Sequence, residues 1–166
     1  MVSEAGVYMT EQRTSDDGIE MSWAVNVAAP FLLTSLLLDT VTERVINVSS
    51  TNAADHIDFG NLQQERGFSS QGAHSLSNLC TIMLTYELAR RLKGAGSAVT
   101  CNCLDPGNKG ASDALVVATD PHLNRVSGAF FVSKCSWPSP QVSYDQELQQ
   151  RLWRVLEEQT GAVYPV

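Results

Sequence analysis

Two long apolar segments with helical spacing dominate the hydrophobic pattern of the chain. The first predicted helix covers about 18–41 and is apolar on nearly every side, which indicates burial by other elements or by a partner chain. The second covers about 73–93, with basic residues at the negative end of its dipole, and Gly94 ends it. Further helices are predicted at 111–119 and, with an amphipathic pattern, at 144–159.

Short apolar runs between these helices predict strands. They lie at 44–49 (RVINVS), 98–104 and 128–133 (GAFFVS), and uninterrupted runs of this kind are typical of the buried strands of a parallel sheet. The turn 105–107 (Asp-Pro-Gly) ends the second strand, and the Ser/Pro-rich stretch 134–143 is predicted to be a loop. Strands that alternate with helices predict an α/β fold with helices on both faces of the sheet.

A polar segment at 50–72 separates the first strand from the second long helix. It is rich in Ser, Asn, Asp, Gln and Gly and holds one small apolar cluster, formed by Ile57, Phe59 and Leu62. Such a segment is too long to be a simple connection, which favours a surface or binding role.

Composition narrows the class of protein. With 166 residues, 43% hydrophobic and 17% charged, the chain is sized for one globular domain at 1–166. Its net charge of -7 gains nothing from releasing phosphate counterions, so nucleic acid is not expected as a partner. The four cysteines and three histidines have no metal-ligand spacing, and we expect no metal site. We expect all four thiols to be reduced, with Cys101 and Cys103 on one face of a strand.

Membrane and export signals are weak. The uncharged stretch 21–38 just reaches the length of a membrane span, but Ser22, Asn26 and Thr34 favour a buried helix of a globular fold. The first residues lack the basic region and apolar stretch of a secretory signal, which predicts an intracellular protein.

Several segments together resemble the short-chain dehydrogenases/reductases, in their retinol-dehydrogenase-like branch. Residues 16–39 resemble the family's fourth helix, RVINVSS resembles the strand that ends in its catalytic serine, and 56–94 resembles its substrate-side loop and catalytic helix. VTCNCLDPG resembles the next strand and Pro-Gly turn, and LQQRLWRVLEEQTG resembles the closing helix. The resemblance implies a partial Rossmann-like, doubly wound parallel sheet flanked by helices, the rear half of the family's fold.

The same resemblance implies catalytic positions. Ser50 stands at the serine that positions the substrate oxygen, with Ser49 the adjacent alternative, and Asn26 stands at the asparagine that anchors a water relay. His74 and Asn78, an i, i+4 pair on one helix face, stand where the family has its acid/base tyrosine and a lysine. A neutral Asn78 can neither lower a neighbour's pKa nor clamp the cofactor ribose, although His74 could transfer a proton near neutral pH.

The cofactor implied by the resemblance is NAD or NADP. Ala5-Gly6 resembles the end of the family's Asn-Asn-Ala-Gly motif, but Ser3 and Glu4 replace the asparagines, and Pro106-Gly107 matches the family's turn. No GxxxGxG or GxGxxG occurs in the sequence, so the pyrophosphate lacks its backbone cradle, and the chain is predicted to start in the middle of the fold. The substrate-covering segment after the turn is short, and Lys109 is predicted to be a surface lysine.

Three functions remain open on this sequence. The first is an NAD(P)-dependent oxidoreductase that acts on alcohols or carbonyls. The second is a catalytically inactive interaction module that dimerises through the helices at 18–41 and 73–93. The third is a truncated isoform without function, whose open sheet edge predicts poor solubility. Because the His74/Asn78 replacement and the missing Gly-rich motif are separate losses, we expect the chain to be inactive.

Overall fold

A five-stranded sheet forms the centre of the computed structural model, which describes residues 1–107 and 110–166. The strands follow chain order across the sheet, and the first four are parallel while the last is antiparallel. They are β1 (Val2–Ser3), β2 (Arg44–Val48), β3 (Thr100–Asp105), β4 (Phe130–Val132) and β5 (Cys135–Ser136). This arrangement confirms the predicted α/β, Rossmann-like sheet, and the three predicted strands correspond to β2, β3 and β4.

Helices pack on both faces of this sheet. In chain order they are α1 (Met21–Trp23), α2 (Ala29–Leu37), α3 (Ser70–Gly94), α4 (Ala111–Thr119) and α5 (Gln146–Thr160). A π-helical turn (Ala24–Ala28) joins α1 to α2, and a 3-10 turn (Leu38–Thr40) follows α2, so the helix predicted at 18–41 is one segment with three hydrogen-bond patterns. Shorter 3-10 turns lie at Pro121–Leu123 and Gln141–Tyr144.

The larger part of the core lies between the sheet and the helices α1, α2, α3 and α5. Val27, Phe31, Leu79, Met83 and Trp153 are buried there. Burying such side chains is the main stabilising contribution to the fold, at about 1.5–3 kcal/mol each.

The opposite face of the sheet is covered by α4. Ile46, Leu104, Val117 and Phe131 form a smaller core on that side. The odd-numbered residues of β3 face the side of the sheet that α3 covers. Cys101 belongs to the larger core there, and Cys103 packs against Ile82 of α3 and Phe130. The prediction that the two thiols share one face of the strand is confirmed.

The loop predicted at 134–143 is wrong in part, because β5 pairs with β4 there. Val132 is the register partner of Cys135, which leaves Ser133 and Lys134 as a two-residue hairpin turn with φ of 44° and 76°. Such turns usually carry Asn-Gly or Asp-Gly. A Ser-Lys turn therefore has no recognisable sequence signal. β1 escaped prediction because it has two residues.

The polar segment after β2 lies over the larger core. Its apolar residues Ile57, Phe59 and Leu62 pack against that core, and the guanidinium of Arg151 lies 4.1 Å from the ring centre of Phe59. The segment ends at Ser69, whose side chain accepts from the backbone N–H of Gly72 and caps α3. The helix therefore begins at residue 70 and not at the predicted 73.

Among the described residues, one helical segment is long and apolar enough to cross a membrane. It is Met21–Thr40, and 39% of its most apolar stretch is buried inside the protein. Trp23, Val27 and Phe31 face the core from this segment. Length and composition are therefore weak evidence for a membrane span here.

Candidate functional site

An open cleft of about 390 Å³ lies where the carboxyl ends of β1, β2 and β3 meet. In parallel sheets this edge is the usual place for ligand sites. The cleft brings together every residue that the resemblance implied for the site, although their distances along the chain are large. These residues are Ala5, Gly6, Asn26, Ser50, His74, Asn78, Pro106 and Gly107. Lys109 lies outside the described residues.

Asn26 is held in the middle of the π-helical turn. Its Oδ1 accepts from the backbone N–H of Val7 at 2.8 Å, and its Nδ2 donates to the Val7 carbonyl at 2.9 Å and to Ser77 Oγ at 3.1 Å. Both amide hydrogens are therefore used. Through these bonds the side chain connects the segment after β1 to the helix. π-helical turns recur at functional positions in proteins.

His74 faces the cleft from the first turns of α3. Its Nδ1 is buried and has no hydrogen-bond partner among the described residues. The ring lies edge-on to Tyr8, with 5.2 Å between ring centroids. Burial lowers the pKa of His74 below the ordinary value of 6.5, so the imidazole is mainly neutral at neutral pH.

Asn78 lies one turn further along α3 and is buried. Its side-chain Nδ2 donates to the backbone carbonyl of Asn52 at 3.1 Å, and the backbone carbonyl of Asn78 accepts from Ser49 Oγ at 2.9 Å. These bonds tie α3 to the end of β2 and to the polar segment after it. The side chain is thus a neutral structural link, and Ser49 is turned toward the helix backbone.

Asp105 is a site residue that sequence reasoning missed. Thr51 N–H donates to its Oδ2 at 2.6 Å, Gly107 N–H donates to its Oδ1 at 2.8 Å, and Ser50 Oγ lies 3.5 Å from Oδ2. Burial raises its pKa, but the backbone donors outweigh burial and bring the pKa below 3.8, so the carboxylate is ionised. The sequence suggested only a turn former, although a carboxylate at the end of a parallel strand is itself a signal.

The described cleft residues carry negative charge. Glu4 and Asp105 are the charged side chains among them. Within the part of the chain that the structure describes, no group of three or more metal-ligating side chains comes together.

The N-termini of the described helices are poorly suited to bind the pyrophosphate of a dinucleotide. A pyrophosphate needs free N–H groups at a helix N-terminus. The N-termini of α1, α3 and α5 are capped instead by the side chains of Glu20, Ser69 and Asp145, two of which are carboxylates. The first turn of α4 holds the buried Asp113. The residues present therefore do not reproduce a pyrophosphate cradle.

The parallel α/β sheet, with a serine, an asparagine and a helical i, i+4 pair at its carboxyl edge, defines a Rossmann-like fold. The chain is 32% identical over 98% of its length to polyprenol dehydrogenase of Homo sapiens. It is 33% identical over 92% of its length to retinol dehydrogenase 13 of Homo sapiens. No protein-family model matches it. The chain spans 61% and 57% of the length of these two relatives.

Solved structures agree with the sequence relatives. An uncharacterized protein from Mycobacterium Paratuberculosis superposes with a TM-score of 0.91 at 26% identity, over 99% of this chain and 68% of the other. A short-chain dehydrogenase/reductase from Brucella ovis, solved with a partially ordered NAD, gives 0.55 at 20% identity, over 79% of this chain and 62% of the other, and it supports the fold alone. The chain belongs to the short-chain dehydrogenase/reductase family, and its relatives place it in the retinol-dehydrogenase-like branch.

Proposed function

We propose that this chain is a non-catalytic member of the family, which keeps the cleft at the carboxyl edge of the sheet without the chemistry of hydride transfer. The observation that carries the proposal is the pair His74 and Asn78 on the cleft side of α3. Both side chains are neutral near pH 7, and they occupy the positions where the resemblance implies a phenol and an ammonium group.

Proton transfer at the cleft is poorly supported. A tyrosine works as an acid/base only when a nearby cation lowers its pKa from about 10. The amide of Asn78 carries no charge and already donates to the Asn52 carbonyl. Asp105, an ionised group that also lines the cleft, would stabilise a proton on a neighbour and not its release.

Asn26 and Ser50, at the family's positions for the water relay and the substrate-orienting hydroxyl, already form hydrogen bonds within the protein. Asn26 uses both amide hydrogens inside the protein, on Val7 and Ser77. Ser50 accepts from the N–H of Asn52 at 3.1 Å, while Asp105 is within reach of its hydroxyl hydrogen. Each group therefore stabilises the cleft wall, and the cleft remains a cavity in which a small polar molecule could bind.

Cofactor binding and turnover test the proposal directly. The purified chain is titrated with NADH and NADPH by calorimetry, and then incubated with NAD⁺ or NADP⁺ and either retinol or a polyprenol, the alcohols for which its relatives are named. We expect neither heat of binding nor formation of reduced cofactor. Turnover by the native chain that disappears in His74→Ala would overturn the proposal.

A gain-of-function variant sharpens the test. His74→Tyr combined with Asn78→Lys restores a phenol and an ammonium at i, i+4 on the cleft side of α3. Cofactor-dependent turnover in this double variant alone would identify the two replacements as the loss of activity. His56→Tyr, on an exposed loop histidine, is the matched control and should stay inactive.

Self-association is a second candidate role, favoured by exposed apolar surface on α2. Leu33 and Leu36 are 48% and 70% exposed, and Leu37 next to them is 39% exposed. The other helix of the predicted dimer, α3, buries most of its length inside the chain and exposes chiefly its last turn. We therefore propose α2 as the contact of a homodimer.

A further inference from the structure

We propose that a second site, at the end of the sheet opposite the cleft, binds a small organic molecule through a phosphate or carboxylate group. The site is an open groove of about 880 Å³, here named the basal groove. Its polar lining includes Arg90, Lys93, Ser97, Thr100, Arg125 and Ser127.

The basal groove lies at the amino ends of the strands. Thr100 is the first residue of β3 and forms part of the groove, whereas Asp105, the last residue of the same strand, lines the cleft. The end of α3 forms one side, with Arg90 and Lys93. The two cavities are therefore separated by the length of the sheet, and the groove is independent of the dehydrogenase-like site.

The charged side chains that line the basal groove are positive, whereas the chain as a whole is negatively charged. Arg90, Lys93 and Arg125 line it, and no acidic residue is among its lining residues, while the whole chain carries a net charge of -7. Arg90 already pairs with the buried Glu87. Within the described residues, Lys93 and Arg125 form no ion pair with protein groups. Lys93 complements the dipole of α3, but no helix end accounts for Arg125.

Two hydroxyl groups that line the same groove each have a hydrogen free to donate. Ser97 Oγ accepts from the N–H of Val99, and Ser127 Oγ accepts from the N–H of Cys101, each at 3.1 Å. Since a hydroxyl has one hydrogen to donate, both can donate to a ligand oxygen. Hydroxyl donors together with cationic side chains are suited to bind an oxyanion.

Thr100 borders the groove, but its hydroxyl is closed to it. The residue is only 7% exposed, and its Oγ1 is buried without a hydrogen-bond partner in the described chain. Because a group that water cannot reach is no contact for a ligand in an open groove, the cations and the two serines carry the inference.

The remaining walls indicate the rest of the ligand. Ala89, Ala98 and Val99 contribute apolar surface next to the ring of Tyr86. An anion with an apolar body fits such a concave site better than a bare inorganic ion does. A long polyanion such as nucleic acid is disfavoured because the rest of the chain is acidic.

Amide chemical shifts of the isotope-labelled full chain test this inference. Phenyl phosphate, benzoate and neutral benzyl alcohol are titrated separately, so that the first two distinguish a phosphate from a carboxylate ligand. We expect the amides of Gly96, Ser97 and Gly128 to shift, with a Kd on the order of 1 mM for the preferred anion. The amides of Gly6 and Gly107 in the cleft should stay in place.

Matched variants distinguish a specific binding site from nonspecific attraction to positive surface charge. Arg125→Gln should weaken the preferred anion by about tenfold, while Arg154→Gln, on an exposed arginine of α5, should leave the Kd unchanged. Binding of benzyl alcohol equal to that of the anions, no shift in the groove, or equal losses in the two arginine variants would overturn the inference.

Discussion

The imidazole of His74 lies edge-on against the phenol of Tyr8, with an angle of 68° between the ring planes. A phenol is thus present at the cleft, but it comes from the chain after β1 and not from α3. The ring contact covers the imidazole, whose Nδ1 has no partner among the described residues. Protonation of His74 therefore works against the folded state.

Folding stability should fall in acid because of His74. The folded chain holds its pKa below 6.5, whereas the unfolded chain titrates near 6.5, so the unfolded state binds protons more readily. Stability from the neutral ring is fully present above pH 6.5 and decreases as the pH falls toward the folded pKa. His74→Gln should flatten the decrease in Tm between about pH 7.5 and 5.5. His56→Gln, on an exposed histidine, should keep the native slope; parallel curves for native chain and His74→Gln would contradict this assignment.

Asp105→Asn should destabilise the protein, by about 1–3 kcal/mol, as measured by urea unfolding. The carboxylate accepts from the N–H groups of Thr51 and Gly107, and an amide NH₂ cannot replace both acceptors. Because the folded pKa is lowered, this stability is present above the unfolded pKa of about 3.9 and is lost as the pH falls through the folded pKa. Asp16→Asn, on an exposed loop, is the control, and equal unfolding midpoints for the two variants would disprove the role of Asp105.

Thiol reagents should distinguish Cys135 from the other cysteines. Cys80, Cys101 and Cys103 are buried, and burial raises their pKa values, that of Cys103 to about 12, while Cys135 is exposed. Only thiolates react with aromatic disulfides. We expect one thiol per native chain to react, four after unfolding in denaturant, and none in native Cys135→Ser. Rapid reaction of more than one thiol in the native chain would show that the core is open.

Sedimentation equilibrium of Leu36→Ser tests the proposed dimer. If α2 forms the contact, the native chain should associate with increasing concentration and the variant should remain monomeric, since Leu36 is 70% exposed in the isolated chain. Leu115→Ser is the matched control, because Leu115 is 63% exposed on α4, on the opposite face of the sheet. A native chain that is monomeric at every concentration rules out α2 as a dimer contact.

The sequence was most informative where a pattern extends over many residues. The helical spacing of apolar residues predicted α3 and α5 to within a few residues at each end. The β-branched run predicted β2. The segments that resemble the family assigned Asn26 and His74 to one site. Both residues line the same cleft, although 48 positions separate them along the chain. Such long-range proximity follows from the parallel order of the strands and not from local propensity.

Local geometry was harder to anticipate. The Ser133–Lys134 turn adopts positive φ without glycine or asparagine, because pairing of β4 with β5 outweighs the local preference. Asp105 resembled a turn former, and its bonds to Thr51 and Gly107 depend on loops brought together by the sheet. The orphan hydroxyl of Thr100 has no sequence signature, since the same residue in a strand is normally satisfied.

The π-helical turn at Ala24–Ala28 sets the rotational phase of all the helix that follows it. Each residue of an α-helix advances the side-chain direction by about 100°. Removing a single residue from the turn would rotate Phe31 away from Trp153, whose ring centre is 4.8 Å from its own, and would bring the half-buried Leu32 and Ser35 to the buried positions of Phe31 and Thr34. In an alignment of related chains, length changes should therefore be tolerated before Met21 or after Thr40, and hardly at all between them.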